Sequence, residues 1–212
     1  MHLALFGASG RTGQLLAERA LAQGHTLSAL VRKPASYPYA KRVRVIEGDA
    51  FTLNAIAETL AGADAVLSAL GARSLGKEDV LERAVPLIVQ AMEDARLKRI
   101  VVLGSAGALD SALDYQPAYR RWIVENIVYN TLLKWPVASQ RAQIQALAAS
   151  DLDWTMVMPP MLTNGPARGS YRVDGNALPR NGSSISRADV ADFMLQQLIV
   201  STWSRKGVYL TW

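Results

Sequence analysis

Seven residues near the amino end constrain this chain more than any others. Gly7-Ala8-Ser9-Gly10-Arg11-Thr12-Gly13 follows the apolar run Leu3-Ala4-Leu5-Phe6 at once and opens an amphipathic stretch. A strand that becomes a helix within so few residues must turn sharply, bring its backbone close to whatever lies above, and pack helix tightly on strand. Each demand suits a residue without a Cβ. The helix start also offers free N–H groups and the positive end of its dipole, so the turn predicts an anion site, namely the pyrophosphate of a dinucleotide. A tight turn that binds nothing is the alternative.

The rest of the chain alternates short apolar runs with longer amphipathic ones. Strands are expected near residues 2–6, 26–31, 43–47, 65–69, 99–104, 154–158 and 207–210. Helices are expected near 11–23, 52–61, 78–95, 118–131, 137–150 and 187–201. Runs such as Ile100-Val101-Val102-Leu103 are apolar on both faces, as parallel strands covered on both sides must be. The helix near 78–95 sets Val80, Ala84, Leu87, Ile88, Ala91 and Met92 on one stripe. This alternation predicts one α/β domain over residues 1–212, a doubly wound Rossmann fold with a mostly parallel sheet of about seven strands. Two loop-rich stretches, 105–117 and 159–186, follow predicted strands at their carboxyl ends and are expected to wall a substrate pocket. Trp135-Pro136 is read as a break between helices, and Trp203 and Trp212 as packing near residue 212.

Composition excludes several classes of function. The 212 residues are half apolar and 19% charged, as in an ordinary globular protein. No apolar run approaches the roughly 20 residues that span a bilayer, and nothing ahead of Leu3 resembles a signal peptide. The absence of cysteine fits a reducing compartment, so a cytoplasmic protein is expected. His2 and His25 match no ligand spacing, so no metal site is expected. The net charge of +5 is scattered; its densest stretch, Lys41-Arg42-Val43-Arg44-Val45, reads as a solvated strand face rather than a nucleic-acid surface. A monomer or a homodimer is expected.

The second predicted strand ends at Val31 and runs into Arg32-Lys33. Sites selective for NAD place a carboxylate near here to accept from the ribose hydroxyls. Arg32 cannot accept, but its guanidinium suits a 2′-phosphate, and Arg11 is a second candidate partner for that group. NADP(H) is therefore the expected cofactor, with NAD(H) still possible. An exposed charge at a strand end is the plainer reading of Arg32.

With these motifs in place, the chain resembles the atypical short-chain dehydrogenase/reductases with NmrA-like NAD(P)-binding Rossmann domains. Within that group it is most similar to the biliverdin reductase B, or NADPH flavin reductase, branch. The likeness runs nearly end to end: the glycine loop, Leu30-Val31-Arg32, Glu47-Gly48-Asp49-Ala50, Ser68-Ala69-Leu70-Gly71-Ala72-Arg73, Ser105-Ala106, Val157-Met158-Pro159-Pro160 and Ile185-Ser186-Arg187-Ala188-Asp189-Val190. The resemblance implies that Gly7, Ser9, Gly10, Arg11, Thr12 and Gly13 hold the pyrophosphate and that Asp49 and Ala50 lie by the adenine. It also implies that Ala69, Leu70, Gly71 and Arg73 run under the nicotinamide half, with Leu103, Ser105 and Pro159 around the ring. Asp49 reads equally as a turn acceptor ahead of the helix near 52–61, and Ser105 as a turn-capping hydroxyl.

The chain departs from the pattern where chemistry is concerned. Neither Tyr115 nor Tyr119 is followed four residues later by the lysine of a Tyr-x-x-x-Lys pair, and Gln140 and Met161 stand where relatives of the flavin-reductase type carry histidines. Hydride transfer to a flavin, quinone or similar planar acceptor tolerates this loss, because such an acceptor takes its proton from water. That reaction asks for a flat apolar slot, expected from Tyr115, Tyr119, Trp122, Met158 and Met161, with Ser105 as the candidate catalytic hydroxyl. A sensor or regulator that binds NAD(P)H with little turnover is the alternative, and it would want a partner surface beyond the cofactor site. A sugar-nucleotide epimerase would want such a pair at Tyr115 or Tyr119 and a larger substrate domain.

Overall fold

Strand β1 (His2–Phe6) lies at the middle of the main sheet because both of its faces are apolar. Leu3 and Leu5 enter one core and Ala4 and Phe6 the other. The computed structural model describes residues 1–72, 74–200 and 202–212. β2 (Thr26–Val31) and β3 (Arg44–Glu47) are added on one side of β1, and β4 (Ala65–Ser68), β5 (Arg99–Leu103) and β6 (Asp153–Met158) on the other. All of these pairs are parallel. The sheet order is β3-β2-β1-β4-β5-β6-β10-β8, in which β10 (Lys206–Thr211) is parallel to β6 and β8 (Arg172–Asp174) antiparallel to β10. β7 (Met161–Thr163) and β9 (Ser184–Ser186) form a separate parallel pair.

Helices cover both faces. α1 (Arg11–Ala22) and α6 (Arg187–Gln196) close the core that holds Leu3, Leu5, Leu67 and Val157. α2 (Leu53–Leu60), α3 (Val80–Asp94) and α5 (Lys134–Ala148) close the core of Phe6, Ile100, Met156 and Tyr209. The architecture is thus the doubly wound α/β fold that the periodicity predicts. The seven predicted strands occur within one residue of their expected ends, and the eighth, β8, is a three-residue addition at the edge.

The stretch between β5 and α5 differs from expectation. α4 (Ala118–Ile123) continues as π-helical turns through Val124–Leu132, and the break falls at Leu133. Trp135 and Pro136 lie inside the first turn of α5, where a proline removes no intrahelical hydrogen bond. None of residues 118–136 is buried, so this helical arm rests on the body rather than within it.

A buried carboxylate ties the far edge together. Asp189, in the first turn of α6, accepts from the backbone N–H groups of Arg168 and Gly169, the Ser186 hydroxyl and the Trp212 indole. Ser186 in turn caps α6 by accepting from the Asp189 N–H. Burial opposes the ionised form, but these donors outweigh it and hold the carboxyl below its ordinary range. The Arg168 guanidinium lies over the Trp212 ring at 3.4 Å.

Candidate functional site

The chain leaves β1 to build β2 and β3 on one side, then returns to build β4 on the other. The loops after β1 and β4 therefore diverge, and a crevice opens between them at the carboxyl edge. Its glycines divide the structural work. Gly7 sits at φ +74°, and a Cβ there would come within 2.5 Å of the Ala69 carbonyl carbon. A Cβ on Gly13 would run into the Gly7 carbonyl oxygen, so this glycine lets α1 pack down on the turn. Gly10 is different: its Cβ would meet only the Gly7 oxygen, at 3.3 Å. The protein itself hardly needs glycine at that position. Its backbone lines the crevice, and no side chain among the described residues caps the start of α1. Those donors and that open approach fit a pyrophosphate.

Two arms run from this turn. The first is lined by Gly7, Ser9, Gly10, Leu30, Arg32, Gly48, Asp49, Ala50, Phe51 and Ala69–Gly71. Arg32 is exposed there and makes no ion pair among the described residues. One Asp49 carboxylate oxygen accepts from the Phe51 N–H at 2.9 Å and the Thr52 hydroxyl at 3.0 Å, so Asp49 forms a turn and also lines the arm. The second arm is lined by Gly10, Arg11, Thr12, Ala69–Ala72, Leu75, Leu81, Leu103–Ser105, Leu133, Pro136, Ser139, Gln140, Leu162 and Arg187. Gly10, Ala69, Leu70 and Gly71 line both arms, which makes one continuous trough of them.

The chemistry of the second arm is sparse. Among its described lining residues there is no Tyr, His, Lys, Asp, Glu or Cys. Ser105 caps no backbone group of the turn that follows it, so the reading as a turn-capping hydroxyl does not describe it. Gln140 accepts from the Gln143 amide at 3.3 Å, and the same amide donates to the Leu103 carbonyl at 3.0 Å. Gln143 is fully buried, and its own carbonyl oxygen has no partner among the described residues. This pair fixes the Gln140 side chain at the arm's wall. Sequence reasoning noted Gln140 only as a departure, and passed over Leu162 and Arg187; a cation on the first residue of a helix was the signal available for Arg187.

The structure does not assemble the apolar slot. Met158 is fully buried beside Ile144 and Gly207, because the pleat of β6 turns it to the α5 face with Met156. On β7, Leu162 faces the trough, and Met161, one residue away, is 67% exposed. Tyr115, Tyr119 and Trp122 are exposed on or just before the helical arm and line neither half of the trough. Pro159 is buried, with its carbonyl accepting from the Ala106 N–H. Arg73 lies outside the described residues.

The chain matches the family model described as NAD(P)H-binding over residues 7–199. It is 31% identical over 205 residues to the uncharacterized protein YwnB of Bacillus subtilis (strain 168), covering 93% of this chain and 92% of YwnB. Among solved structures, ChuY, an anaerobillin reductase from Escherichia coli O157:H7, superposes with a TM-score of 0.81 at 22% identity, covering 100% of this chain and 97% of that one. A short-chain dehydrogenase/reductase from Veillonella parvula DSM 2008 in complex with NADP gives 0.82 at 19% identity, covering 100% and 94%. At these identities the two structural likenesses speak for the fold. No helix among the described residues is long and apolar enough to cross a membrane.

Proposed function

This chain belongs to the NAD(P)H-binding family, and from that membership we propose an NADPH-dependent reductase that passes hydride to a flavin, quinone or similar planar acceptor. The observation that carries the reading is a second arm whose described lining holds no group that titrates near neutral pH. Reduction of a ketone or opening of a sugar ring would need such a group. A conjugated planar acceptor needs position above all, since water supplies the proton. The bilin-type reductase and the NADP complex among the structural relatives point the same way.

Each part of the trough has a role in this reading. The α1 N–H groups and the Gly10 backbone hold the pyrophosphate, and Arg32 takes the 2′-phosphate. Asp49 and Ala50 border the adenine. The bound nicotinamide supplies the hydride. Leu103, Leu133, Pro136 and Leu162 exclude water from the second arm, while Ser105 and the oriented Gln140 amide donate hydrogen bonds to an acceptor carbonyl as it gains charge. A second reading, an NAD(P)H-binding sensor or regulator, draws on the helical arm, where Tyr119 is 71% and Trp122 61% exposed together with Ile127 and Leu132.

The deciding experiment follows NADPH oxidation by its near-ultraviolet absorbance with FMN, riboflavin and small quinones as acceptors. Saturable turnover that falls about tenfold or more in Ser105→Ala, a loss on the scale of one donor to the developing charge, supports the reductase. Tight NADPH binding with no turnover of any acceptor would replace it with the sensor.

A further inference from the structure

Two arginines stand where helix electrostatics oppose them. Arg11 is the first residue of α1 and Arg187 the first residue of α6, each at the positive end of its helix dipole. The two helices pack together, and the Arg11 charge adds to the effect of burial in lowering the proton affinity of Arg187. Neither arginine makes an ion pair among the described residues, whereas Arg19, farther along α1, is paired with Asp192 at 2.5 Å. Arg187 is nonetheless held: one terminal nitrogen donates to the Asn164 side chain at 2.7 Å and the Leu162 carbonyl at 3.2 Å. Its other guanidinium nitrogens have no hydrogen-bond partner among the described residues.

Position supplies the rest. Arg11 and Arg187 line the second arm of the trough and also the side groove between α1 and the loop at Asn164–Ala167. They are the only charged side chains among the described residues of that arm, whose other walls are Leu81, Leu103, Leu133, Pro136 and Leu162 with a few neutral polar groups. Two cations without ion pairs, one of them held in place, beside an uncharged slot describe a place for a ligand with a flat body and an anionic tail.

We propose that Arg11 and Arg187 form an anion subsite that takes a carboxylate or phosphate tail of the acceptor, which makes anionic planar molecules the preferred substrate class. The proposal rests on the reductase reading for the word substrate, but the subsite itself is tested by binding alone. NADP⁺-loaded protein is titrated with FMN and with riboflavin, which share a ring system and differ by a phosphate. A bilin dicarboxylate and its dimethyl ester form the second pair, so the two pairs distinguish phosphate from carboxylate. The anionic member of at least one pair should bind roughly tenfold tighter, as charge-assisted pairs do, and the advantage should shrink in high salt.

Arg187→Met should bring the anionic-to-neutral ratio close to one. Because that change also removes the bonds to Leu162 and Asn164, Arg11→Gln, which loses no protein partner among the described residues, provides the second variant and should lower the same ratio. Equal affinity for both members of both pairs overturns the subsite, whether or not any acceptor is reduced. A fall in NADPH affinity as large as the fall in FMN affinity would also overturn it, by assigning the two arginines to the cofactor. Preferential FMN binding without turnover would keep the subsite and remove the reductase reading.

Discussion

Arg11 and Arg32 line opposite arms of one trough, although both are candidates for the same 2′-phosphate when only the sequence is read. The separation assigns them different tests. Arg32→Asp should weaken NADPH by about 2 kcal/mol, close to thirtyfold, with much less effect on NADH, because a charge-assisted phosphate contact is lost. Arg11→Gln should leave the ratio of NADPH to NADH affinity as it was. Calorimetric titration of both cofactors checks this, and equal losses in Arg32→Asp would remove the phosphate assignment.

The glycine loop predicts a split between folding and binding. A side chain at position 13 meets the Gly7 carbonyl, so Gly13→Val should leave little folded protein. Position 10 has space toward the protein, and the proposed pyrophosphate would fill the crevice that its backbone lines. Gly10→Val should therefore keep its thermal midpoint within a few degrees, a change of under about 1 kcal/mol, while losing both dinucleotides. Circular dichroism melts and cofactor fluorescence separate the two outcomes.

Substitutions on β7 test the pleat directly. Leu162→Ala opens the wall of the second arm and should raise the acceptor KM several-fold. Met161→Ala, at an exposed neighbour, should leave stability within about 0.5 kcal/mol of the parent and the acceptor KM unaltered. Reversed effects would mean that β7 presents its other face to the trough.

Asp189 makes stability depend on acid. Its folded proton affinity is lowered by its donors, so its contribution is fully present above the ordinary carboxylate range and is lost as pH falls through the lower folded value. Asp189→Asn should cost about 2 kcal/mol near neutral pH, because an amide N–H donor replaces one carboxylate oxygen among buried donors. It should also flatten the acid limb of the stability profile, measured by urea melts at a series of pH values. A parallel profile in the variant would show that another carboxylate governs the acid limb.

The strands and most helices were legible because burial on both sides writes itself into composition. Ala4 and Leu5 belong to opposite cores and are both apolar, the pattern of an inner parallel strand covered on both faces. The glycine loop was legible as a tight strand-to-helix turn, since Gly7 at φ +74° and the blocked Cβ position of Gly13 admit no other residue. Three-residue strands such as β8 and β9 carry too few side chains to show a period, and their pairing comes from distant segments. The π-helical turns of Val124–Leu132 have no compositional mark either, and they moved the helix break to Leu133. The expected slot failed through direction rather than identity. Met158 and Met161 have the chemistry that was wanted, but the pleat points the first into the core and the second into solvent.

The waist of the trough is made by Gly10, Ala69, Leu70 and Gly71, chiefly through backbone and small side chains. Substitution can add little there except obstruction. The two ends share no lining residue beyond that waist, so Arg32 and Leu162 answer to separate pressures. On the reductase reading, a lineage built on this scaffold can exchange its acceptor while keeping its coenzyme, or the reverse, one end at a time.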